Sequence, residues 1–139
     1  MKEAVDELKR IINDKTSGSV DLSIKVFSFI RRNPDVKYAE AISDAFIGMA
    51  LVRNAAKLAL NDASMSPEDF RDTILSQEHL SIANAVKFID TEVITTMSNS
   101  HNVLEFIRSS DNVKKVYVRE SRPMLEGRIM AAKIANLGK

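Results

Sequence analysis

The stretch "TEVITTMSNSHNVLEFIRSSDNVKKVYVRESRP", residues 91–123, decides the fold. Within it "EVITT" and "VKKVYVRE" are short β-branched runs, each followed by polar residues and then by a helical pattern. The first of these helices is predicted from about Ser100, with Val103, Leu104, Phe106 and Ile107 as its apolar stripe. The second is predicted from Pro123 to Gly138, a proline start and a glycine stop. Strand, helix, strand, helix means parallel pairing with right-handed crossovers. A buried parallel sheet normally has more than two strands and both faces covered. Here "ANLGK" stands where a third strand is expected, so half of a doubly wound domain is predicted. An unpaired strand edge and uncovered apolar surface should remain, and self-association into a dimer or larger assembly is the expected remedy.

Upstream of residue 91 the pattern is helical throughout. "EAVDELKRII" repeats Ala4, Val5, Leu8, Ile11 and Ile12 at helical spacing, and "TSGS" interrupts it. There Gly18 is free to take a positive φ and the neighbouring serines can cap the next helix. This second helix is predicted from about Val20 to Arg32 with Ile24, Phe27 and Ile30 inward, stopped by "NPD" because Pro34 disfavours helix at Asn33. A third helical region, Val36 to Leu60, includes Ala39, Ile42, Phe46 and Met49 and should break near Gly48. "SPEDF" is the clearest start signal: Ser66 as N-cap, Pro67 at the first position, Glu68 and Asp69 in the first turn. That helix runs to about Phe88, with a candidate interruption at Ser76–Glu78. The expected class is mostly α with a small α/β part. Residues 1–90 form a helical domain, and residues 91–139 the first half of a Rossmann-like one.

Composition narrows the function classes. A net charge of +1 argues against strong generic nucleic-acid or membrane binding, which needs a surplus of Lys and Arg. No run approaches the 18 or so apolar residues of a membrane span. "MKEAVDELKRIINDK" is too acidic and lacks the apolar core of a signal peptide. Zero cysteines exclude disulfides, thiol chemistry and thiolate metal sites, and fit a cytoplasmic protein. No cofactor and no metal are expected. His79 and His101 stand apart, and no Gly-rich phosphate loop occurs, because the four glycines are scattered. Met49 and Met130 read as core filler.

In open parallel sheets ligands sit beyond the carboxyl ends of the strands. Two loops qualify, "TMSNSH" and "RESRPMLEGR", and each opens a helix whose positive end favours an anion. Ser98, Asn99 and Ser100 offer hydroxyl and amide contacts. Arg122 and Arg128 offer charge-assisted ones, and Glu120 lies two residues before Arg122 in sequence. The bland alternative is that Ser100 only caps its helix and Arg122 pairs with Glu120 or Glu126. For nucleophilic catalysis Ser98 would need a base, and His101 is a candidate only through its closeness in sequence.

"VYVRESRPMLEGRIMAAKIANLG" resembles the strand-to-helix signature of the translation initiation factor 2B alpha/beta/delta family. "ITTMSNSHNVLEFI" is similar to the strand and helix that precede it there, and "SGSVDLSIKVFSFI" is loosely like an early helix of that family. The resemblance implies a helical N-terminal domain joined to a Rossmann-like one, usually in oligomers. It also implies a cytoplasmic role in translation initiation, with translation initiation factor 2 as a candidate partner. The superfamily includes isomerases of ribose 1,5-bisphosphate and methylthioribose 1-phosphate, whose cysteine position falls here on Ser98 and whose neighbouring histidine falls on Met97. Their catalytic aspartate would lie beyond Lys139, and their Arg-Gly-Ala phosphate contact aligns with Ser17-Gly18-Ser19. These departures imply a regulatory or assembly module without catalysis. The alternative is an isomerase or phosphometabolite-binding subunit completed by a second chain.

Overall fold

The computed structural model describes residues 2–139. The chain forms two compact units, Met1–Leu75 and Ser76–Lys139. It is mostly α, with a helical N-terminal part and a partial Rossmann-like βαβα arrangement after it.

The first unit contains α1 (Lys2–Ile12), α2 (Ser19–Arg32), α3 (Val36–Ala45), α4 (Ala50–Asn61) and the opening turns of α5 (Pro67–Phe88). The centre of its core is α2, whose Leu22, Val26, Phe27, Phe29 and Ile30 are all fully buried. Phe27 stacks on Phe70 with ring centroids 4.1 Å apart, and Phe29 tilts against Tyr38 at 5.5 Å. The facing side of α4 is Val52, Ala55, Ala56 and Ala59, whose small side chains let the two helices approach closely. Ile24, expected inward, lies at the margin of this core.

Helix ends follow local chemistry. Asn33 ends α2 outside the helical region, at φ −132° and ψ 71°, before Pro34, and Asp35 then caps α3 by accepting from the Lys37 amide at 2.8 Å. Ser66 and Asp69 form a reciprocal cap: the Asp69 amide donates to Ser66 Oγ at 3.0 Å, and the Ser66 hydroxyl donates to Asp69 Oδ2 at 2.8 Å. The expected break near Gly48 is present, since α3 ends at Ala45 and α4 begins at Ala50.

Three local expectations need correction. Gly18 has φ −72° and itself holds the N-cap of α2, where it has no side chain to cap with, while the Ser17 hydroxyl donates to Asp14. The long helix α5 runs unbroken through Ser76–Glu78. Met49 is 37% exposed at the start of α4, whereas Met130 is fully buried as expected.

The second unit contains the last turns of α5, then β1 (Val93–Thr96), α6 (His101–Ser109), β2 (Lys115–Val118) and α7 (Glu126–Ala135). The strands pair in parallel, with Val93 opposite Lys115 and Thr96 opposite Val118. Alternation sends Ile94, Val116 and Val118 toward a core of Leu104, Phe106, Ile107, Val113, Met130 and Ile134. Val93 and Tyr117, on the opposite face, remain half exposed. The last helix does not begin at Pro123. Leu125 is left-handed, with φ 60°, and a residue in that conformation cannot belong to a right-handed helix, so α7 starts at Glu126.

Candidate functional site

The two loops beyond the carboxyl ends of β1 and β2 come together as the parallel register requires. The Ser98 amide donates to Ser121 Oγ at 2.7 Å, and the Arg119 amide donates to the Thr96 carbonyl at 2.9 Å. Ser98 and Ser121 both hold left-handed backbone, φ 64° and 61°, which few residues other than glycine adopt. The Arg122–Pro123 peptide is cis. All three left-handed non-glycine residues among the described residues lie in these two loops. Such local strain concentrates at functional sites and is sustained by the surrounding structure.

Glycine is required at 127 for a different reason. A Cβ there would sit 1.7 Å from the Arg119 carbonyl oxygen, so only a bare Cα lets the start of α7 press against the end of β2.

Of the expected ligand residues, Glu120, Arg122 and Arg128 form one cluster. Arg122 Nε donates to Glu120 Oε2 at 2.7 Å, and Arg128 Nε donates to Glu120 Oε1 at 2.9 Å, joined by a second Arg128–Glu120 bond through Nη2. The two guanidinium groups, Arg122 first, hold the Glu120 carboxyl below its ordinary pKa. Arg122 therefore takes the pairing that the bland alternative foresaw. Among the described residues only its Nε is engaged, however, and its side chain is 81% exposed.

Ser98, Asn99 and Ser100 lie on the other loop. Lys133 from α7 donates to Asn99 Oδ1 at 3.0 Å. Ser100 occupies the N-cap position of α6 but makes no side-chain cap bond. His101 makes no hydrogen bond with Ser98 among the described residues, and its Nε2 lies 3.9 Å from Glu78 Oε1. That oxygen is buried and has no hydrogen-bond partner among the described residues. His79 is exposed. Among the described residues no three His, Asp or Glu side chains are grouped to hold a metal ion.

Sequence reasoning passed over Ser121 and Lys133, which tie the loops to each other and to α7. Ser121 sits inside the quoted "RESRP" signature, but nothing in its type announces a left-handed turn residue. Lys133 lies 34 positions from Asn99, and only the fold makes them neighbours.

The pattern of the initiation factor 2 subunit family matches residues 3–138. The chain belongs to that family. The structure is similar to the crystal structure of the Pyrococcus horikoshii OT3 translation initiation factor eIF-2B, with a TM-score of 0.65 and 20% sequence identity. The match covers 99% of this chain and 57% of that one, so the chain spans little more than half the length of that protein. At this identity the likeness speaks for the shared fold. No curated protein gives a significant match. Among the described residues no helix is long and apolar enough to cross a membrane.

Proposed function

We propose that this member of the initiation factor 2 subunit family is a regulatory or assembly protein of translation initiation with no catalysis of its own. One observation carries the reading. Ser98, at the position where the resembled isomerases carry cysteine, is hydrogen-bonded to no base among the described residues, and His101 lies 3.9 Å from Glu78. A serine hydroxyl without a general base is a poor nucleophile. Incubation with ribose 1,5-bisphosphate tests this directly. No product is expected, and turnover by the chain alone would defeat the proposal.

The working form in this reading is an oligomer in the cytoplasm, with translation initiation factor 2 as the candidate partner. The half-exposed Val93 and Tyr117 face supports the assembly, since parallel sheets are normally covered on both sides.

A second reading is favoured by the exposed side chain of Arg122 and the left-handed loops around it: a subunit that binds a phosphorylated metabolite without turning it over. Calorimetry with AMP and with ribose 1,5-bisphosphate tests it. Arg122→Ala should abolish the binding that these loops contribute. Glu120→Gln should strengthen it, because Glu120 neutralises the same guanidinium groups that a phosphate would engage.

A further inference from the structure

Between α1 and α2 runs a groove of about 470 Å³. That lies within the roughly 300–1,000 Å³ of small-molecule sites. Its floor is apolar, with Ile11 buried and Ile24 half-buried. Its walls are charged. Toward one end Arg32 meets Glu7 at 2.6 Å, and toward the other Lys25 meets Asp14 at 2.9 Å. Both carboxylates of the lining are thus already engaged, and Asp14 also accepts from Thr16 and Ser17. Arg10 is the remaining charge, and no ion pair among the described residues includes it.

We propose that this groove binds a small organic oxyanion, with the Arg10 guanidinium as principal contact and Ile11 and Ile24 beneath the ligand's apolar body. Three cations and two carboxylates line it, a surplus of one positive charge (3 − 2). Because Glu7 and Asp14 are tied to cations of α2, neither neutralises Arg10. A guanidinium fork matches the paired oxygens of a phosphate ester or a carboxylate. The site lies wholly within the first unit and is independent of the loops around Glu120.

The full chain labelled with nitrogen-15 is titrated with phenyl phosphate, benzoate and inorganic phosphate, following amide shifts by NMR. Phenyl phosphate or benzoate should saturate shifts at Arg10, Ile11, Ile24 and Ser28, and the tighter of the two identifies the acid group. Inorganic phosphate should bind at least about fivefold more weakly, because it covers none of the apolar floor. Arg10→Gln should weaken the organic ligand by about tenfold or more. Its thermal midpoint should be unchanged, since Arg10 is exposed. Arg122→Ala should leave binding intact. Saturation without groove shifts, undiminished affinity in Arg10→Gln, or loss of binding in Arg122→Ala would each overturn the assignment.

Discussion

The two halves of this chain treat apolar surface differently. Among the described residues three large apolar side chains are exposed in Met1–Leu75: Val36, Ile47 and Met49. Eight are exposed in the shorter Ser76–Lys139: Leu80, Phe88, Ile89, Val93, Met97, Tyr117, Met124 and Ile129. The difference comes from how each architecture satisfies its backbone. A helix completes its own hydrogen bonds, so a few amphipathic helices can close around one another. A parallel strand needs neighbours on both edges and cover on both faces, and two strands cannot supply them. The first unit thus carries a closed core, while the second carries a framed pair of loops on an open sheet.

Substitutions in the two halves should separate accordingly. The largest effect is expected for Phe27→Ala. The ring is fully buried and stacked on Phe70, and removing it should cost about 3–5 kcal/mol, read from the urea midpoint by circular dichroism. A loss under about 1 kcal/mol would show that the first core is loose and would erase the contrast.

Gly127→Ala comes next. The added methyl meets backbone oxygen rather than a movable side chain, so α7 must shift from β2, at about 3 kcal/mol. Its signature is loss of the Ser98–Ser121 contact, seen as a shifted Ser98 amide, alongside lowered stability of the second unit. Native stability and an unmoved Ser98 amide would mean that the close approach at residue 127 does not frame the site.

The alternation that predicts β1, α6, β2 and α7 was legible because strands and helices impose different periods on apolar residues, as Ile94, Val116 and Leu104 illustrate. The cap at Ser66 was legible because it is local. What escaped is set by backbone conformation at single residues. Pro123 suits a helix start in type, yet left-handed Leu125 postpones α7 to Glu126. The serines around Gly18 suit capping, yet Asp14 gathers Thr16 and Ser17 into its own turn. Aspartate with hydroxyl residues two and three positions on is a readable turn signal, and it outcompetes the cap. Of the site, the residue types at Arg122 and Arg128 were readable, but their joint hold on Glu120 was not.

That Asp14 turn gives the third test. Its carboxyl is held far below the ordinary value of 3.8, first by the Lys25 ammonium, then by the Ser17 hydroxyl and the Ser17 and Thr16 amides. A depressed folded-state pKa adds stability that is present above the unfolded value and lost as pH falls through the folded one. Stability of the first unit should therefore decline as pH falls below about 3.8. Asp14→Asn should flatten that decline and cost about 0.5–1 kcal/mol at neutral pH, since solvent screens the pair with half-exposed Lys25. An unchanged acid profile in Asp14→Asn would place acid sensitivity elsewhere. Glu120 is lowered too, but on an exposed surface, so Glu120→Gln should leave the acid profile of the second unit nearly unchanged.

The smallest effect on folding, and the most telling for the contrast, is expected at Tyr117. Its ring stands on the open face of β2, half exposed, with the Lys115 ammonium 4.9 Å from its centroid. Tyr117→Ser removes little from the core, so in dilute solution stability should change by no more than about 0.5 kcal/mol. Tyr117→Glu should behave alike in the monomer while placing a charge where an apolar partner surface would press. If the open sheet is the assembly surface, light scattering on the unsubstituted chain gives at least twice 15.5 kDa, and Tyr117→Glu returns it toward 15.5 kDa. A Tyr117→Ser variant that melts like Phe27→Ala would instead mean that the ring is part of a closed core. The two halves would then not differ in kind. An unsubstituted chain that is monomeric at all concentrations would mean that water alone covers Val93 and Tyr117, and self-association would have to be abandoned.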